Sequence, residues 1–328
     1  MKSLSFIIPV YNGEKYITRC LKSIFLQAYP HIEIIIINDG SYDKSLDYIN
    51  KAISLYNKKS FNTTIINQKN LGVAAARNIG IQKATSDYIA FIDQDDYISK
   101  DFCTTYMSAV DSTDYDMVIG GFRRINPAGR QTRYWIPKDL PWTKFCLTYP
   151  WGRIIKRSFL MDNSIAFLKT GIGEDVYFDL VCYSYTNNIK MLSNAMYVWF
   201  DNPKSVSNTE YTFINDKINP LYTFDSIEAD MCSASHIPSD YIEYYYIKFI
   251  VWYLLSSVRN SKKADLLSAR NQMFTWLSKR YPNYKSNPNI SVFKLKGDSL
   301  KNNLCVYMYM LLHRIKLDRL LLSLLGKK

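Results

Sequence analysis

Cysteine and histidine are sparse and scattered. The six cysteines, Cys20, Cys103, Cys146, Cys182, Cys232 and Cys305, include no C-x-x-C pair. A metal cluster and a disulfide framework both lose support, and a reducing cytoplasm fits. The three histidines, His31, His236 and His313, lack metal-ligand spacing and read as structural or surface groups. Twelve Gly and eleven Pro in 328 residues are too few for a collagen-like or linker-like polymer. No run of eighteen uncharged apolar residues occurs, so a spanning helix is not expected. The apolar run Leu4–Val10 contains Pro9 and passes straight into Tyr11-Asn12-Gly13-Glu14 without a small-residue cleavage site. It reads as a first strand and not as a signal peptide. What remains is a globular balance, 48% apolar and 21% charged, long enough for one large domain or two ordinary ones.

The charge is unevenly placed. Residues 1–258 carry 26 basic and 26 acidic side chains, whereas residues 259–328 carry 15 basic residues against Asp265, Asp298 and Asp318. The whole net charge of +12 therefore sits in the last 70 residues. Such a tail suits an anionic lipid surface or a nucleic acid; a solvated helix surface is the alternative.

The first hundred residues alternate strand and helix signals. Ser5–Val10, Ile32–Ile37, Thr63–Asn67 and Tyr88–Ile92 read as strands, with helices over Tyr16–Phe25 and Gly72–Ala84. Ile32–Ile37 is almost wholly apolar and β-branched, as a central parallel strand buried on both faces should be. The alternation implies a doubly wound α/β domain, in which ligands bind beyond the carboxyl ends of the strands. Two further strand-like runs flank a turn at Asn126-Pro127-Ala128-Gly129, and residues 138–200 mix helix and strand. From about residue 212 the pattern is mostly helical, over 213–235, 239–260, 264–280 and 302–325, with a turn or linker around Pro282 and Pro288.

Chemistry-bearing residues gather at the strand ends. Asp93-Gln94-Asp95-Asp96 follows the strand Tyr88–Ile92. Three carboxylates on one tight turn repel unless a cation or hydrogen bonds compensate, and hard oxygen ligands suit Mg²⁺ or Mn²⁺. A solvated turn is the plainer reading of D-x-D alone. Asp39, in Asn38-Asp39-Gly40-Ser41, faces the same crevice and can accept from a base N–H or a ribose hydroxyl; a helix cap is its alternative. Asn70-Leu71-Gly72 opens a helix of small residues whose N-terminus attracts phosphate, with Arg77 as a positive fork. Glu174-Asp175 reads either as a helix start favoured by the macrodipole or as a general base.

Together Ile8–Asn12, Asn38–Ser41, Asn70–Gly72 with Arg77-Asn78, and Phe91–Asp96 resemble, in order and spacing over residues 4–105, the family 2 glycosyltransferases of GT-A fold. The likeness continues through Trp151–Arg157 and Gly173–Phe178 to about residue 210. It implies a GT-A domain over 1–210, with a Rossmann-like nucleotide-binding sheet, and a basic, mainly helical region over 211–328. It implies that Pro9, Val10 and Tyr11 lie against a nucleobase, that Asp39 pairs with it, usually as uracil, and that Asn70, Gly72 and Arg77 lie near the nucleotide diphosphate. Asp93 and Asp95 would contact ribose and a divalent metal, Mn²⁺ or Mg²⁺, and Asp175 would be the catalytic base. Glu14, Asp96, Arg153 and Glu174 are supporting candidates. Three departures stand out: Asn38 where Asp is frequent, Arg153 where Lys is common, and Trp199-Phe200-Asp201-Asn202, which lacks the usual positive charge.

The expected reaction moves a sugar from a nucleotide sugar, a UDP-sugar first, to a saccharide acceptor in cell-surface glycan synthesis. No candidate nucleophile beneath the sugar ring is apparent, so a single displacement with inversion is expected. A nucleotidyltransferase would show a Gly-rich basic loop after the first strand, which Pro9–Gly13 does not supply. A nucleic-acid-binding protein would need a basic groove-facing module, yet residues 1–258 are neutral. The tail joins apolar Leu304–Leu312 to a segment where Ile315, Leu317, Leu321, Leu322 and Leu325 share one helix side, flanked by Arg314, Lys316 and Arg319 and closed by Lys327 and Lys328. This suits peripheral attachment to the cytoplasmic membrane face and a polyprenyl-diphosphate-linked acceptor. Packing on helices 239–280 or a contact in a homo-oligomer is the rival reading.

Overall fold

Leu4–Val10 forms β1, with all seven residues buried. It pairs in parallel with β2 (Ile32–Asp39) on one side and with β4 (Tyr88–Phe91) on the other. Pro9 cannot donate to a ladder, and it lies beyond the last β4 pair, Ile7 with Phe91. β2 is buried at all eight positions, as its isoleucines require. Its acid at the strand start, Glu33, is held by Ser5 and Thr85. β3 (Asn62–Gln68) closes this parallel half. Between these strands run α1 (Ile17–Phe25), α2 (Ser45–Tyr56) and α3 (Val73–Lys83). Gly80 lets α3 settle on β1, since a Cβ there would stand 2.2 Å from Ile7 Cγ2. The sequence reading placed no helix at α2, where Ile49 and Ala52 are the only buried apolar residues and the periodic signal is weak.

Beyond β4 the sheet stops being parallel. β5 (Tyr97–Ile98), α4 (Phe102–Asp111), β6 (Met117–Ile125), β7 (Gln131–Trp135), β8 (Arg153–Lys156), α5 (Arg157–Asp162), α6 (Glu174–Tyr185) and β9 (Ile189–Phe200) follow in turn. The strand order is β3-β2-β1-β4-β8-β6-β9-β5, with β7 on β6. β8 runs antiparallel to both β4 and β6, β9 parallel to β6 and antiparallel to β5. The α/β alternation expected of the first hundred residues holds through β4, where the βαβ connections end; beyond it the sheet is mixed. Aromatic packing supports the second half, with the Trp151 ring stacked on Tyr149 at 4.6 Å and on Tyr197 at 4.4 Å.

The structure is a computed structural model and describes residues 1–203, 205, 213–214, 218–258 and 260–327. It divides into two units: Met1–Lys138 with Tyr149–Lys169 and Glu174–Asn202, and Asp139–Thr148 with Thr170–Gly173 and Pro203–Lys328. The domain boundary expected at 210/211, part of the expected 213–235 helix, and Lys328 lie outside the described residues. The second unit carries α7 (Pro220–Asp230), α8 (Ser239–Trp252) continued by a π-helical turn at Tyr253–Ser257, α9 (Lys263–Arg280), α10 (Leu300–Arg314) and α11 (Asp318–Leu325). The single helix expected over 302–325 is broken: Lys316 takes a left-handed φ of 64° between α10 and α11. The break rotates α11, so that Leu322 is buried with Asp318 one turn before it and does not join the outward side expected of it. Val306, Tyr309 and Met310 face inward as well, whereas Leu304, Met308, Ile315, Leu317, Leu320, Leu324 and Leu325 are exposed. Among the described residues no helix is long and apolar enough to cross a membrane.

Candidate active site

β1, β2 and β4 are neighbours, so the loops after them meet at one edge of the sheet. Side chains lace these loops together. Asn12 N–H donates to Ser41 Oγ (3.1 Å), Gly13 N–H to Ser45 Oγ (2.7 Å), and Tyr42 and Lys44 N–H donate back to Asn12 Oδ1 and Glu14 Oε2. Glu14 is therefore a loop tie. Gln94 bonds to the Tyr11 backbone in both directions, accepting from its N–H (3.0 Å) and donating to its carbonyl (2.9 Å). The middle residue of D-x-D thus sets the position of Tyr11, whose ring is 43% exposed and meets Tyr42 edge-on. A ring held by its backbone and open on one side can receive a flat base. Pro9 and Val10 end the strand beneath it, and Val10 is buried.

Asp39 is buried and already well supplied with donors. Oδ1 accepts from Gln68 Nε2 (2.7 Å) and Leu71 N–H (2.8 Å), and Oδ2 from Gly72 N–H (2.9 Å). Its first role is to hold the 68–72 loop, which leaves about one of its roughly four acceptor directions for a base. Gly40 supports the same turn: its φ is +72°, and a Cβ would meet Asn70 N at 2.8 Å. Asn70 itself is exposed, and Gly72 precedes α3.

Arg77 departs from its expected place as a free fork for a diphosphate. It is buried on α3, and both terminal nitrogens are engaged: Nη1 with Asp175 Oδ1 at 2.6 Å and Nη2 with Asp93 Oδ1 at 2.9 Å. The guanidinium also lies 5.1 Å from the Phe167 ring centre. One buried cation therefore joins the first carboxylate of D-x-D to the acid at the start of α6. Burial raises the Asp175 pKa well above the ordinary carboxylate value; Arg77 opposes this, and Glu174 and Asp93 add to it. Burial alone would lower the Arg77 pKa, but the Asp175 and Asp93 carboxylates hold it charged. Asp175 is thus a largely buried carboxylate, oriented by a fixed cation and more basic than usual.

The other two acids of the cluster separate by role. Asp96 is buried and accepts from Tyr197 OH (2.6 Å) and Phe200 N–H (2.7 Å). It fastens the end of β9 and does not support the crevice directly as expected. Asp95 remains partly open; Asn202 Nδ2 donates to its Oδ2 (2.9 Å), and Tyr16 OH donates to Asn202 Oδ1. Burial raises the Asp95 pKa, and the Asp93 charge raises it further. Two arginines of other elements lie against Trp199–Asn202. Arg19 of α1 donates to the Asp95 carbonyl (2.6 Å) and lies 4.2 Å from the Phe200 ring centre, while Arg124 pairs with Asp201 (2.7 Å). Arg19 and Gln94 were not legible as site residues, because tertiary packing alone brings them there.

Arg153 is a correction. It is fully buried and donates to Asp179 Oδ1 (2.8 Å) and Tyr183 OH (2.8 Å), which ties β8 to α6 inside the core. Burial pushes Asp179 up to about 7. Among the described residues no three Asp, Glu, His or Cys side chains are grouped to hold a metal ion. Asp93 and Asp95 nonetheless fit part of a hard-cation shell: two oxygen donors whose mutual repulsion a cation would relieve, with the remaining ligands coming from a diphosphate or water.

The family model described as Glycosyl transferase family 2 matches residues 5–164, from β1 to just beyond α5. Residues 5–164, just under half of the chain, are therefore similar to glycosyl transferase family 2. Over 215 residues it is 27% identical to glycosyltransferase GlyA of Streptococcus pneumoniae, covering 60% of this chain and 30% of that one. It is 28% identical over 208 residues to the poly(ribitol-phosphate) beta-N-acetylglucosaminyltransferase TarS of Staphylococcus aureus, covering 61% and 35%. The chain thus spans about a third of these relatives' lengths. The structure of S. aureus TarS residues 1–349 in complex with UDP-GlcNAc superposes with a TM-score of 0.70 at 20% identity, over 96% of this chain and 92% of that one. The GT-A fold is therefore established; Asp175, at the far end of the Arg77 fork, lies outside the residues that the family model matches.

Proposed function

We propose that the chain transfers a hexosyl or N-acetylhexosaminyl group from a UDP-sugar to a hydroxyl of a cell-surface glycan precursor, inverting the anomeric centre. The observation that carries this reading is the Arg77 bridge, which sets a basic carboxylate, Asp175, beside the D-x-D turn. The acceptor hydroxyl must lose its proton as it attacks the anomeric carbon, and Asp175 would take it. Tyr11 and Asp39 would receive the nucleobase. Asp93 and Asp95 would hold Mn²⁺ or Mg²⁺, which would neutralise charge on the leaving diphosphate. TarS binds UDP-GlcNAc and is named for transfer to poly(ribitol-phosphate), which favours a UDP donor and a phosphate-rich or lipid-linked saccharide acceptor here.

We further propose peripheral attachment to the cytoplasmic membrane face. Exposed Leu317, Leu320 and Leu324 with Arg319 and Lys316 support it. A homo-oligomer is compatible with the same surface. The test of the reading is a calorimetric screen of nucleoside diphosphates and nucleotide sugars with Mn²⁺ or Mg²⁺ present. UDP binding that depends on the metal is expected, and binding of no nucleotide would overturn it.

A further inference from the structure

The second unit contains a cavity of about 510 Å³ formed by α9, the turn after it and the α10–α11 break. Four cations line it: Arg270, Lys285, Lys316 and Arg319. The acid nearest to them, Asp318, is fully buried beneath and is already committed to Arg270 Nε (2.7 Å) and His313 Nδ1 (2.8 Å). Among the described residues Lys285, Lys316 and Arg319 have no carboxylate partner. Three cations thus share one concavity without a counter-charge from the chain.

The cavity is built and not merely left over. His313 stacks on Phe274, ring centres 3.9 Å apart, and its Nε2 meets Tyr284 OH at 2.6 Å. His313 Nδ1 lies 2.8 Å from both Asp318 Oδ2 and Arg270 Nη2, and burial lowers the pKa of the ring. Arg270 is thereby fixed between the Asp318 carboxylate and the Asn271 amide (3.0 Å). Lys316 reaches the rim because its own backbone is left-handed, a conformation that costs a non-glycine residue about 1 kcal/mol. Phe274, Tyr284 and Pro282 supply an apolar wall. The volume exceeds that of a bare phosphate and lies in the range of small-molecule sites.

We propose that this cavity binds a phosphate-bearing ligand: the phosphate against Arg270, Lys285, Lys316 and Arg319, its organic part against Phe274 and Tyr284. Oxyanions with several oxygens and two charges match a cluster of guanidinium and ammonium donors better than a single carboxylate does. The inference is independent of the sugar-transfer reading, since no residue of the first unit enters it.

The experiment titrates the full chain with inorganic diphosphate by calorimetry, and separately with vesicles of phosphatidylglycerol in phosphatidylcholine. Three proteins are compared: the unaltered chain, K316Q/R319Q, and the charge-matched control K294Q/K301Q, whose exposed lysines lie outside the cavity. Melting temperature and far-ultraviolet circular dichroism report that each variant is folded. Diphosphate binding weakened at least ten-fold in K316Q/R319Q alone supports a soluble phosphate ligand. Vesicle binding weakened in that variant alone, with no diphosphate binding, supports a lipid headgroup as the source. Equal effects of both double variants, no effect of K316Q/R319Q, or no binding to either probe overturns the proposal.

Discussion

Replacing Arg77 separates two accounts of the site. In the structure its guanidinium touches carboxylates, 2.6 Å from Asp175 and 2.9 Å from Asp93, and its side chain is 4% exposed. A hydrogen bond to a charged group contributes about 1.5–3 kcal/mol. Asp175 is about a quarter exposed, so solvent takes up part of the loss, and the low end of that range applies. Arg77→Met should therefore raise the Asp175 pKa further, with a proton-affinity change on the order of ten-fold at 1.36 kcal/mol per tenfold. The sign follows from charge: the cation favours the carboxylate, so without it Asp175 holds its proton to higher pH. The acid limb of the pH–rate profile for transfer then moves upward, and the rate on that limb falls roughly ten-fold at fixed pH. Arg77→Lys keeps one charge but cannot reach both acids as a fork does, so its shift should be smaller. The assay is initial transfer rate from pH 5 to 9, with UDP affinity measured alongside by calorimetry. An unchanged acid limb with UDP binding weakened a hundred-fold would refute this argument and return Arg77 to the diphosphate.

Asp175→Asn should lower transfer by roughly 10²–10⁴-fold while UDP binding stays within a few-fold, because the amide keeps size and loses basicity; full residual turnover moves the base elsewhere, with Glu174 next to be tested. Asp95→Ala, or a chelator added to the unaltered protein, should weaken UDP binding, and titration calorimetry that finds no change in either case removes the metal from these residues. The product from an α-linked donor should be β-linked by its NMR coupling, an α-linked product being the contrary result. L317Q/L320Q/L324Q should reduce co-sedimentation with anionic vesicles while leaving the melting temperature unchanged, since these side chains are exposed; equal sedimentation of both forms would discard the anchoring role.

Much of the crevice was legible because its supports are extreme in composition. β1 and β2 are buried on both faces, so their apolar runs stand out, and the acids that follow mark the strand ends. What escaped was pairing across long separations. Arg77 and Asp175 lie 98 residues apart, Arg19 and the Asp95 carbonyl 76, and no local pattern joins them. Arg153 and Asp96 read as site candidates by position alone; burial against Asp179 and Tyr197 gives them to the core. In the tail, the apolar pattern continues through Lys316 although the backbone does not, because a single left-handed residue changes the helix phase without leaving a Gly or Pro to announce it.

The turn at residues 93–96 is tied through Arg77 to Asp175, forward to Tyr197, Phe200 and Asn202, and backward to Tyr11 and Arg19. These bonds close loops of about a hundred residues, the kind of contact that forms late because its closure entropy is met before any local reward. The parallel half of the sheet can be complete while the turn is still without its forward ties. The first unit therefore cannot acquire this crevice by degrees as the chain lengthens. Chains ending before about residue 202 would carry the strands and the acids yet lack the geometry, and nucleotide binding would appear as a late, all-or-none property of folding.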